Sequence, residues 1–298
     1  RFVADLDEIY YPTAFVVPYL NIVHDRAMLE VFRGCTRGCR FCQAGMIYRP
    51  VREKSSHRLI ELAKDIVKDT GFDEISLASL STSDYSELKE LVEGLTSELG
   101  QCQVGLSLPS LRIDAFSIEL AKKVQQIRKS GLTFAPEAGT QRLRDVINKG
   151  VTEADLLSSV KAAFSAGWNT VKLYFMIGLP TETYEDLEGI ADLAFKVVDV
   201  YRKIHGNTRG LRVNVSTSTF VPKPHTPFQW EPQISLSEIE KRQTFLKSLF
   251  RKRKNISYSW HEGLVSFLEA IFSRGDRRLG KVLKIAHERG CKYDGWDE

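Results

Sequence analysis

The most informative segment of the chain lies near its start and reads LEVFRGCTRGCRFC, residues 29–42. An apolar, strand-like run leads into three cysteines with C-x3-C-x2-C spacing: Cys35, Cys39 and Cys42. Two glycines beside them, Gly34 and Gly38, permit backbone turns that residues with a Cβ resist. The spacing therefore predicts a loop that folds around a compact inorganic group at the end of a strand.

The cysteine pattern suits an iron–sulfur cluster better than a disulfide framework, because three of the five cysteines lie within eight residues. Clusters of four irons normally take four cysteines, so a set of three leaves one iron open to a cofactor or substrate. The isolated Cys102 and Cys291 are expected to be packed cysteines rather than a fourth ligand. The alternative is a zinc site completed by His24 or His57, although structural zinc sites usually draw their ligands from two separated pairs.

Strand-like and helix-like segments alternate along most of the chain from residue 29. The predicted strands are 29–32, 74–78, 103–108, 132–135, 170–175 and 211–218, and the predicted helices between them are 57–68, 85–99, 117–128, 153–166 and 184–204. Two helices start on capping boxes, Thr152 with Asp155 and Thr183 with Asp186. This alternation predicts an α/β fold with a parallel sheet, which we interpret as a partial six-stranded (β/α)6 barrel, similar to a TIM barrel.

The pattern changes after the sixth predicted strand. The segment VPKPHTP, residues 221–227, cannot continue a helix or a central strand because its prolines lack the amide hydrogen. Helical patterns follow at 236–253 and 264–289. We therefore expect a barrel over residues 1–230 and a helical C-terminal extension over residues 231–298.

Composition places the chain among globular proteins, since 43% of its 298 residues are hydrophobic and 27% are charged. No apolar run approaches the roughly 20 residues that a bilayer-spanning helix needs, so we expect a cytoplasmic protein with no membrane partner. The net charge of +4 is too small to indicate nucleic-acid binding by itself. The run RKRK at 251–254 is a candidate patch for RNA, with ordinary solvated surface as the alternative.

The cysteine motif, with Phe41 just before its last cysteine, resembles the signature of radical S-adenosylmethionine (SAM) enzymes. The segments 136–150 and 174–183 are similar to parts of the cobalamin-binding and methylthiotransferase-like branch of that superfamily. The whole chain resembles the bacterial B12-binding-domain/radical SAM protein family of uncharacterised function. This resemblance implies a barrel of the radical SAM type that uses a [4Fe-4S] cluster and SAM.

The same resemblance is compatible with cobalamin as a further cofactor, but the residues of this chain do not support it. In the family, a cobalamin-binding-like domain precedes the barrel, so it would lie before Arg1 and is expected to be absent from this chain. The cobalamin ligand motif D-x-H-x2-G does not occur in the sequence.

The resemblance also implies SAM contacts at the ends of the predicted strands, where the chemistry of parallel barrels gathers. The predicted contacts are Phe41, Ser79, Ser81, Ser110, Arg112, Glu137, Lys149, Ile177, Gly178 and Val221. Glu137 takes the position that contacts the SAM ribose, and Lys149 takes that of a cation for the methionine carboxylate. Ile177 takes that of an adenine contact.

Structural alternatives stay open for several of these residues. In segment 79–84 a helix cap by Ser83 or Asp84 is the alternative, while Arg112 and Lys149 also suit exposed surface charges. Gly178 fits a tight turn between a strand and a helix as well. His225 lies in the loop after the last predicted strand and is a weaker candidate for substrate contact.

Together these features predict an enzyme in which an electron from the cluster cleaves SAM to methionine and a 5′-deoxyadenosyl radical, which abstracts hydrogen from a substrate. The implied partner is an electron donor such as flavodoxin or ferredoxin. The methylthiotransferase-like resemblance and the basic run favour RNA or a ribonucleoprotein as the substrate. The alternatives are a cobalamin-assisted radical SAM methyltransferase and, from a different class, a non-catalytic iron–sulfur binding or sensing module.

Overall fold

The computed structural model describes residues 3–20, 22–100, 104–107, 113, 132–251, 253–292 and 296. Its strands are β1 (Ala27–Glu30), β2 (Phe32–Arg33), β3 (Arg52–Glu53), β4 (Glu74–Ala78), β5 (Gly105–Ser107), β6 (Leu132–Glu137), β7 (Thr170–Ile177), β8 (Arg212–Thr219) and β9 (Ile256–Trp260). Its α-helices are α1 (Ala44–Ile47), α2 (Ser56–Thr70), α3 (Leu88–Leu99), α4 (Gln141–Val146), α5 (Glu153–Ser165), α6 (Tyr184–His205), α7 (Leu236–Phe250), α8 (Gly263–Arg274) and α9 (Leu279–Glu288). None of these helices is long and apolar enough to cross a membrane. The predicted α/β class is confirmed.

Three strands of the first half form a parallel sheet in the order β1-β4-β5, with Ala27 paired to Ile75. Helix α2 packs in the same core and buries apolar side chains at helical spacing: Leu59, Leu62, Ala63 and Ile66. Its first turn is capped by the Ser55 side chain, and Gly71 ends it in the left-handed conformation. Local sequence signals therefore set both ends of this helix.

The second sheet has the order β6-β7-β8-β9, and all of its strands are parallel. Its core against α5 and α6 includes alternate residues of the two central strands: Val171, Leu173, Val213 and Val215. Both predicted capping boxes are present, at the starts of α5 and α6. Because its strands are parallel, their carboxyl ends share one edge, and the residues that follow them lie close together.

One parallel strand, β9, was not predicted from the sequence. It pairs with β8 from Val213–Ile256 to Thr217–Trp260. Its sequence, ISYSW, alternates large and small side chains, but this period-two signal is short and lies between two helical patterns. The prediction that residues 231–298 are helical was therefore incomplete. The helical stretch predicted at 264–289 is also interrupted between α8 and α9.

Several predicted features lie outside the described residues. These are the helix at 117–128, the site residues Ser110 and Arg112, and Cys102. Of the strand predicted at 103–108, the structure describes β5.

A buried ion pair ties α7 to the carboxyl end of β7. The Glu182 side chain, 2% exposed, accepts a hydrogen bond from Gly178 N at 2.7 Å and pairs with the Arg242 guanidinium. Burial raises the pKa of Glu182 to about 7, whereas the Gly178 amide and Arg242 act in the opposite direction. Glu238, one turn earlier on α7, holds the same guanidinium at 3.0 Å. Helix α7 thereby fixes the turn that follows β7.

Arg242→Ala is expected to lower the free energy of unfolding by about 3–5 kcal/mol, because it leaves a buried carboxylate without its cation. Glu182→Gln in the same background should recover a large part of that loss, since a neutral amide needs no counter-ion and still accepts from Gly178 N. Chemical denaturation of the wild type, both single variants and the double variant measures the coupling. Purely additive losses would contradict a direct pair.

Candidate functional site

The three cysteines lie in the loop that the β2–β3 hairpin closes. Gly34 and Gly38, which precede Cys35 and Cys39, have positive φ angles of 96° and 68°. A Cβ at Gly34 would lie only 2.5 Å from the Tyr48 carbonyl oxygen, so a larger residue cannot fit without moving the backbone. The loop therefore makes the turns that the motif predicts.

Hydrogen bonds from the second half of the chain hold this loop. Arg40 N donates to Ile147 O at 2.9 Å, and the Asn148 side chain donates to Gly38 O at 2.9 Å. On another side, the loop after β8 accepts a hydrogen bond from the Gln43 side chain at 2.9 Å. The position of the cysteines thus depends on the segment after α4 and on the loop after β8.

The three thiols line one cavity of about 290 Å³, which we call the cysteine cavity. Residues from the ends of β4 and β6 and from the segment after α4 complete its wall: Leu80, Ser81, Ala135, Glu137 and Lys149. Within the described part of the chain, none of the three cysteines forms a disulfide. Cys291, the remaining described cysteine, follows α9 and does not line this cavity. A donor set of three thiols fits a four-iron cluster in which one iron is not held by cysteine.

The zinc alternative is less well supported by the positions of the two histidines. His57 lies on the exposed face of α2, 3.8 Å from Glu61, and His24 contacts Arg26. Neither histidine lines the cysteine cavity. In the part of the chain that the structure describes, no three His, Cys, Asp or Glu side chains converge on one metal-ion position. The thiols are therefore arranged around a cavity rather than around a single point.

Glu137 and Lys149 meet inside the cysteine cavity. Lys149 Nζ lies 3.0 Å from Glu137 Oε1, and both side chains are mostly buried. Glu137 follows a bulge in β6 and has a φ of 68°, a left-handed conformation that residues with a Cβ rarely adopt. The chain thus accepts backbone strain at the point where this carboxylate reaches the cavity.

The serines that follow β4 make local hydrogen bonds. Ser79 Oγ lies 2.8 Å from Thr82 Oγ1, and Ser81 Oγ donates to Asp84 Oδ2 at 2.7 Å. Ser81 lines the cysteine cavity, whereas Ser79 lines a different one. Asp84 also accepts from Arg37, which joins the cysteine loop to the end of β4. This role of Arg37 was not predicted, because nothing in the motif separates it from the other cations of the loop.

A second cavity, of about 500 Å³, shares Phe41 and Cys42 with the first, and we call it the β8 cavity. Its wall also includes Met176, Thr219, Val221, His261 and Glu269. Ile177, predicted as an adenine contact, is fully buried in the core between the second sheet and its helices. Met176 lines the cavity instead, because successive side chains of a strand point to opposite faces.

Thr219 is a polar residue of the β8 cavity that was not predicted from the sequence. It is 6% exposed, and its hydroxyl oxygen has no hydrogen-bond partner in the structure. Leaving a buried hydroxyl unpaired costs about 1–3 kcal/mol. A ligand in this cavity that pairs with the hydroxyl would remove that cost. The feature that could have identified Thr219 from the sequence is its position at the end of β8, two residues before Val221.

Two weaker predictions lie outside these two cavities. His225 lines neither of them. Of the basic run at 251–254, the described residues Arg251, Arg253 and Lys254 lie between α7 and the start of β9, at the amino edge of the sheet. By contrast, α8 contacts the loop after β8, where Ser273 Oγ lies 3.4 Å from Pro222 O.

Curated relatives are longer than this chain. An uncharacterized protein of Methanocaldococcus jannaschii is 36% identical over 256 residues, which cover 86% of this chain and 53% of the relative. The ribosomal protein uS12 methylthiotransferase RimO of Thermotoga maritima is 21% identical over 293 residues, which cover 91% of this chain and 67% of RimO. The chain thus spans about half the length of the first of these relatives.

Solved structures share the fold at low sequence identity. OxsB, described as a cobalamin-dependent SAM radical enzyme, gives a TM-score of 0.55 at 13% identity, over 89% of this chain and 45% of OxsB. Streptococcus suis SuiB bound to SAM gives 0.52 at 10% identity, over 79% of this chain and 50% of SuiB. The sequence model of the radical SAM superfamily matches residues 29–194, more than half of the 298 residues. The chain therefore belongs to the radical SAM superfamily.

Proposed function

We propose that this chain carries the catalytic barrel of a radical SAM enzyme that acts in the cytoplasm. The observation that supports this most directly is the convergence of three cysteine side chains, Glu137 and Lys149 on one cavity. When bound there, a [4Fe-4S] cluster and SAM supply an electron and a 5′-deoxyadenosyl radical, which abstracts hydrogen from the substrate, with methionine as the other product. The protein residues bind these groups, orient them and exclude water.

The glutamate–lysine pair of the cysteine cavity suits the polar groups of SAM. The Glu137 carboxylate accepts hydrogen bonds from the two ribose hydroxyls, and Lys149 provides a cation for the methionine carboxylate. Each side chain is balanced by the other before SAM binds, so neither charge is buried alone. The pair therefore keeps two opposite charges available in a largely buried place.

The adenine ring suits the β8 cavity. Phe41, Met176 and Val221 offer it apolar surface, and the Thr219 hydroxyl offers a hydrogen bond to a ring nitrogen or the amino group. The other predicted SAM contacts stay proposals: Ser79, Ser81, Ser110, Arg112, Ile177 and Gly178. Among these, Ile177, whose side chain is buried in the core, and Gly178 would act through their backbone atoms, and Glu182 accepts a hydrogen bond from Gly178 N.

RNA or a ribonucleoprotein is the substrate we propose, with flavodoxin or ferredoxin as the electron donor. RimO is named for its action on ribosomal protein uS12. Helix α8, which contacts the loop after β8, ends in an exposed cation, and further exposed cations follow it: Arg274, then Arg277, Arg278, Lys281 and Lys284. These cations are better placed for a substrate that reaches the cavities than Arg251 and Arg253, which lie at the other edge of the sheet.

A cobalamin-assisted radical SAM methyltransferase is the second candidate. OxsB, whose fold is similar, has been solved with aqua-cobalamin and SAM bound. The sequence of this chain contains no D-x-H-x2-G motif, so this candidate is the less favoured one. A non-catalytic iron–sulfur module would differ from both of these enzymes because it would not cleave SAM.

Anaerobically reconstituted protein is expected to carry about four irons and, once reduced with dithionite, to form 5′-deoxyadenosine from SAM. Cys35→Ala, Cys39→Ala and Cys42→Ala should each abolish both properties, because each removes a cluster ligand. Cys291→Ala is the matched control, since this free thiol lies outside the cysteine cavity. Iron analysis and chromatography of the products provide the measurement. An intact cluster without product would favour the non-catalytic module, and stoichiometric zinc would contradict the cluster.

Glu137→Ala is expected to weaken SAM binding by roughly 1–3 kcal/mol, because the ribose hydroxyls and Lys149 both lose their partner. Lys149→Ala should have a similar effect, and the double variant should lose less than the sum of the two. Isothermal titration of the reconstituted protein measures the affinity, with iron content as the check on the cluster. Lys196→Ala, which breaks the exposed pair with Glu153 at 2.6 Å, is the control. Unchanged affinity in Glu137→Ala would remove the ribose assignment.

Charge reversal at Arg277 and Lys281 is expected to lower RNA retention at low salt and to reduce its salt dependence, because fewer phosphates are neutralised. The matched control reverses Arg251 and Arg253, which lie at the amino edge of the sheet. Filter binding across a range of salt concentrations measures both effects. Equal retention by the two reversed proteins would argue against α9 as an RNA contact.

A further inference from the structure

A third cavity, of about 590 Å³, borders the β2–β3 hairpin, and we call it the hairpin cavity. Its wall includes Glu30, Arg33, Gly34, Arg52, Ser79 and Leu80. Leu80 also lines the cysteine cavity, and Tyr48 lines both the hairpin cavity and the β8 cavity. The hairpin cavity therefore adjoins both places that we assign to SAM, and none of its charged side chains is used there.

The charged wall of the hairpin cavity is mainly cationic. Arg33 and Arg52 are direct cross-strand partners in the β2–β3 hairpin. The Arg33 guanidinium binds the Glu30 carboxylate in a bidentate fork: Nε donates to Oε1 at 2.7 Å and Nη2 donates to Oε2 at 2.8 Å. Arg52 donates to the backbone carbonyl oxygens of Val3 and Pro50. Among the described residues that line this cavity, Glu30 is the acidic one.

A buried lysine lies behind the same carboxylate. Lys54 is 1% exposed, and its Nζ has no hydrogen-bond partner among the described residues, although Glu30 Oε2 is 3.7 Å away. Its ammonium also lies 5.0 Å from the centre of the Tyr11 ring. Burial lowers the pKa of Lys54, and Glu30 and the more weakly interacting Asp7 act in the opposite direction. One carboxylate is therefore shared by Arg33 and Lys54, and the ammonium is left incompletely satisfied.

We infer that the hairpin cavity binds an oxyanion of the substrate, a carboxylate or a phosphate group, through Arg33 and Arg52. A guanidinium fork matches either group in a bidentate geometry. When the anion binds to the Arg33 guanidinium, it displaces the Glu30 carboxylate. That carboxylate can then pair with Lys54 Nζ, which already lies 3.7 Å from it. The exchange keeps every buried charge paired. The link to a radical reaction rests on the proposed function, whereas the anion site itself does not.

The test uses anaerobically reconstituted full chain without SAM, titrated calorimetrically with inorganic phosphate and, separately, with succinate. Arg52→Gln should weaken binding of the preferred anion about tenfold, the usual effect of losing one charged hydrogen-bonding partner. Arg33→Lys keeps the charge but loses the fork, so it should also weaken binding. Arg26→Gln is the matched control, because Arg26 pairs with Glu74 at the start of β1, away from the cavity. Circular dichroism of each variant checks that it is folded.

Glu30→Gln provides a result of opposite sign, since it frees the Arg33 fork and should strengthen anion binding. Tighter binding of phosphate would assign a phosphate-bearing substrate, and tighter binding of succinate a carboxylate. No binding of either anion to the wild type, or equal affinity in the wild type and Arg52→Gln, would overturn the site. Formation of 5′-deoxyadenosine by the wild type is measured separately. Its absence would overturn the proposed function and would leave the titrations, which contain no SAM, unaffected.

Discussion

The hydrogen bonds between the cysteine loop and the segment after α4 are the interaction on which the site depends. They join Gly38 and Arg40 to Ile147 and Asn148, so two distant parts of the chain keep a fixed spacing. The residue that follows this segment is Lys149, whose ammonium reaches the cysteine cavity. One short stretch therefore holds the thiols in place and supplies the cation opposite them. Any movement of this stretch would shift both at once.

Local signals made most of the barrel predictable from the sequence. The capping boxes at Thr152 and Thr183 and the alternation of strand and helix depend on residues close together in the chain, and they appear as expected. The register of β7 was harder to predict, because Met176 and Ile177 are both apolar and the segment carries no alternation to tell its faces apart. The structure resolves this by burying Ile177 in the core and placing Met176 at the β8 cavity.

Long-range pairs were beyond what a single sequence indicates. The partners Arg37 and Asp84 are 47 residues apart, and Glu182 and Arg242 are 60 residues apart. No periodic pattern or motif connects such positions, so only the folded chain reveals them. β9 was missed for a different reason: five residues between two helical patterns give too short a signal. Because β9 joins the second sheet and α8 contacts the loop after β8, the C-terminal part of the chain helps to form the wall of the β8 cavity through His261 and Glu269.

The long-range anchoring of the cysteine loop has a consequence for biogenesis. The segment 35–42, which carries the three cysteines, leaves the ribosome well before the partners of its loop: Val146 lies 106 residues after Arg40, and Pro224 lies 181 residues after Gln43. At roughly 5–20 residues per second, synthesis of the last of these partners trails the thiols by about 10–40 s. During that interval the loop that carries the thiols lacks the residues that hold it through hydrogen bonds. Metal loading into the native geometry therefore belongs after translation of the barrel, and a cell must keep the nascent thiols reduced until then.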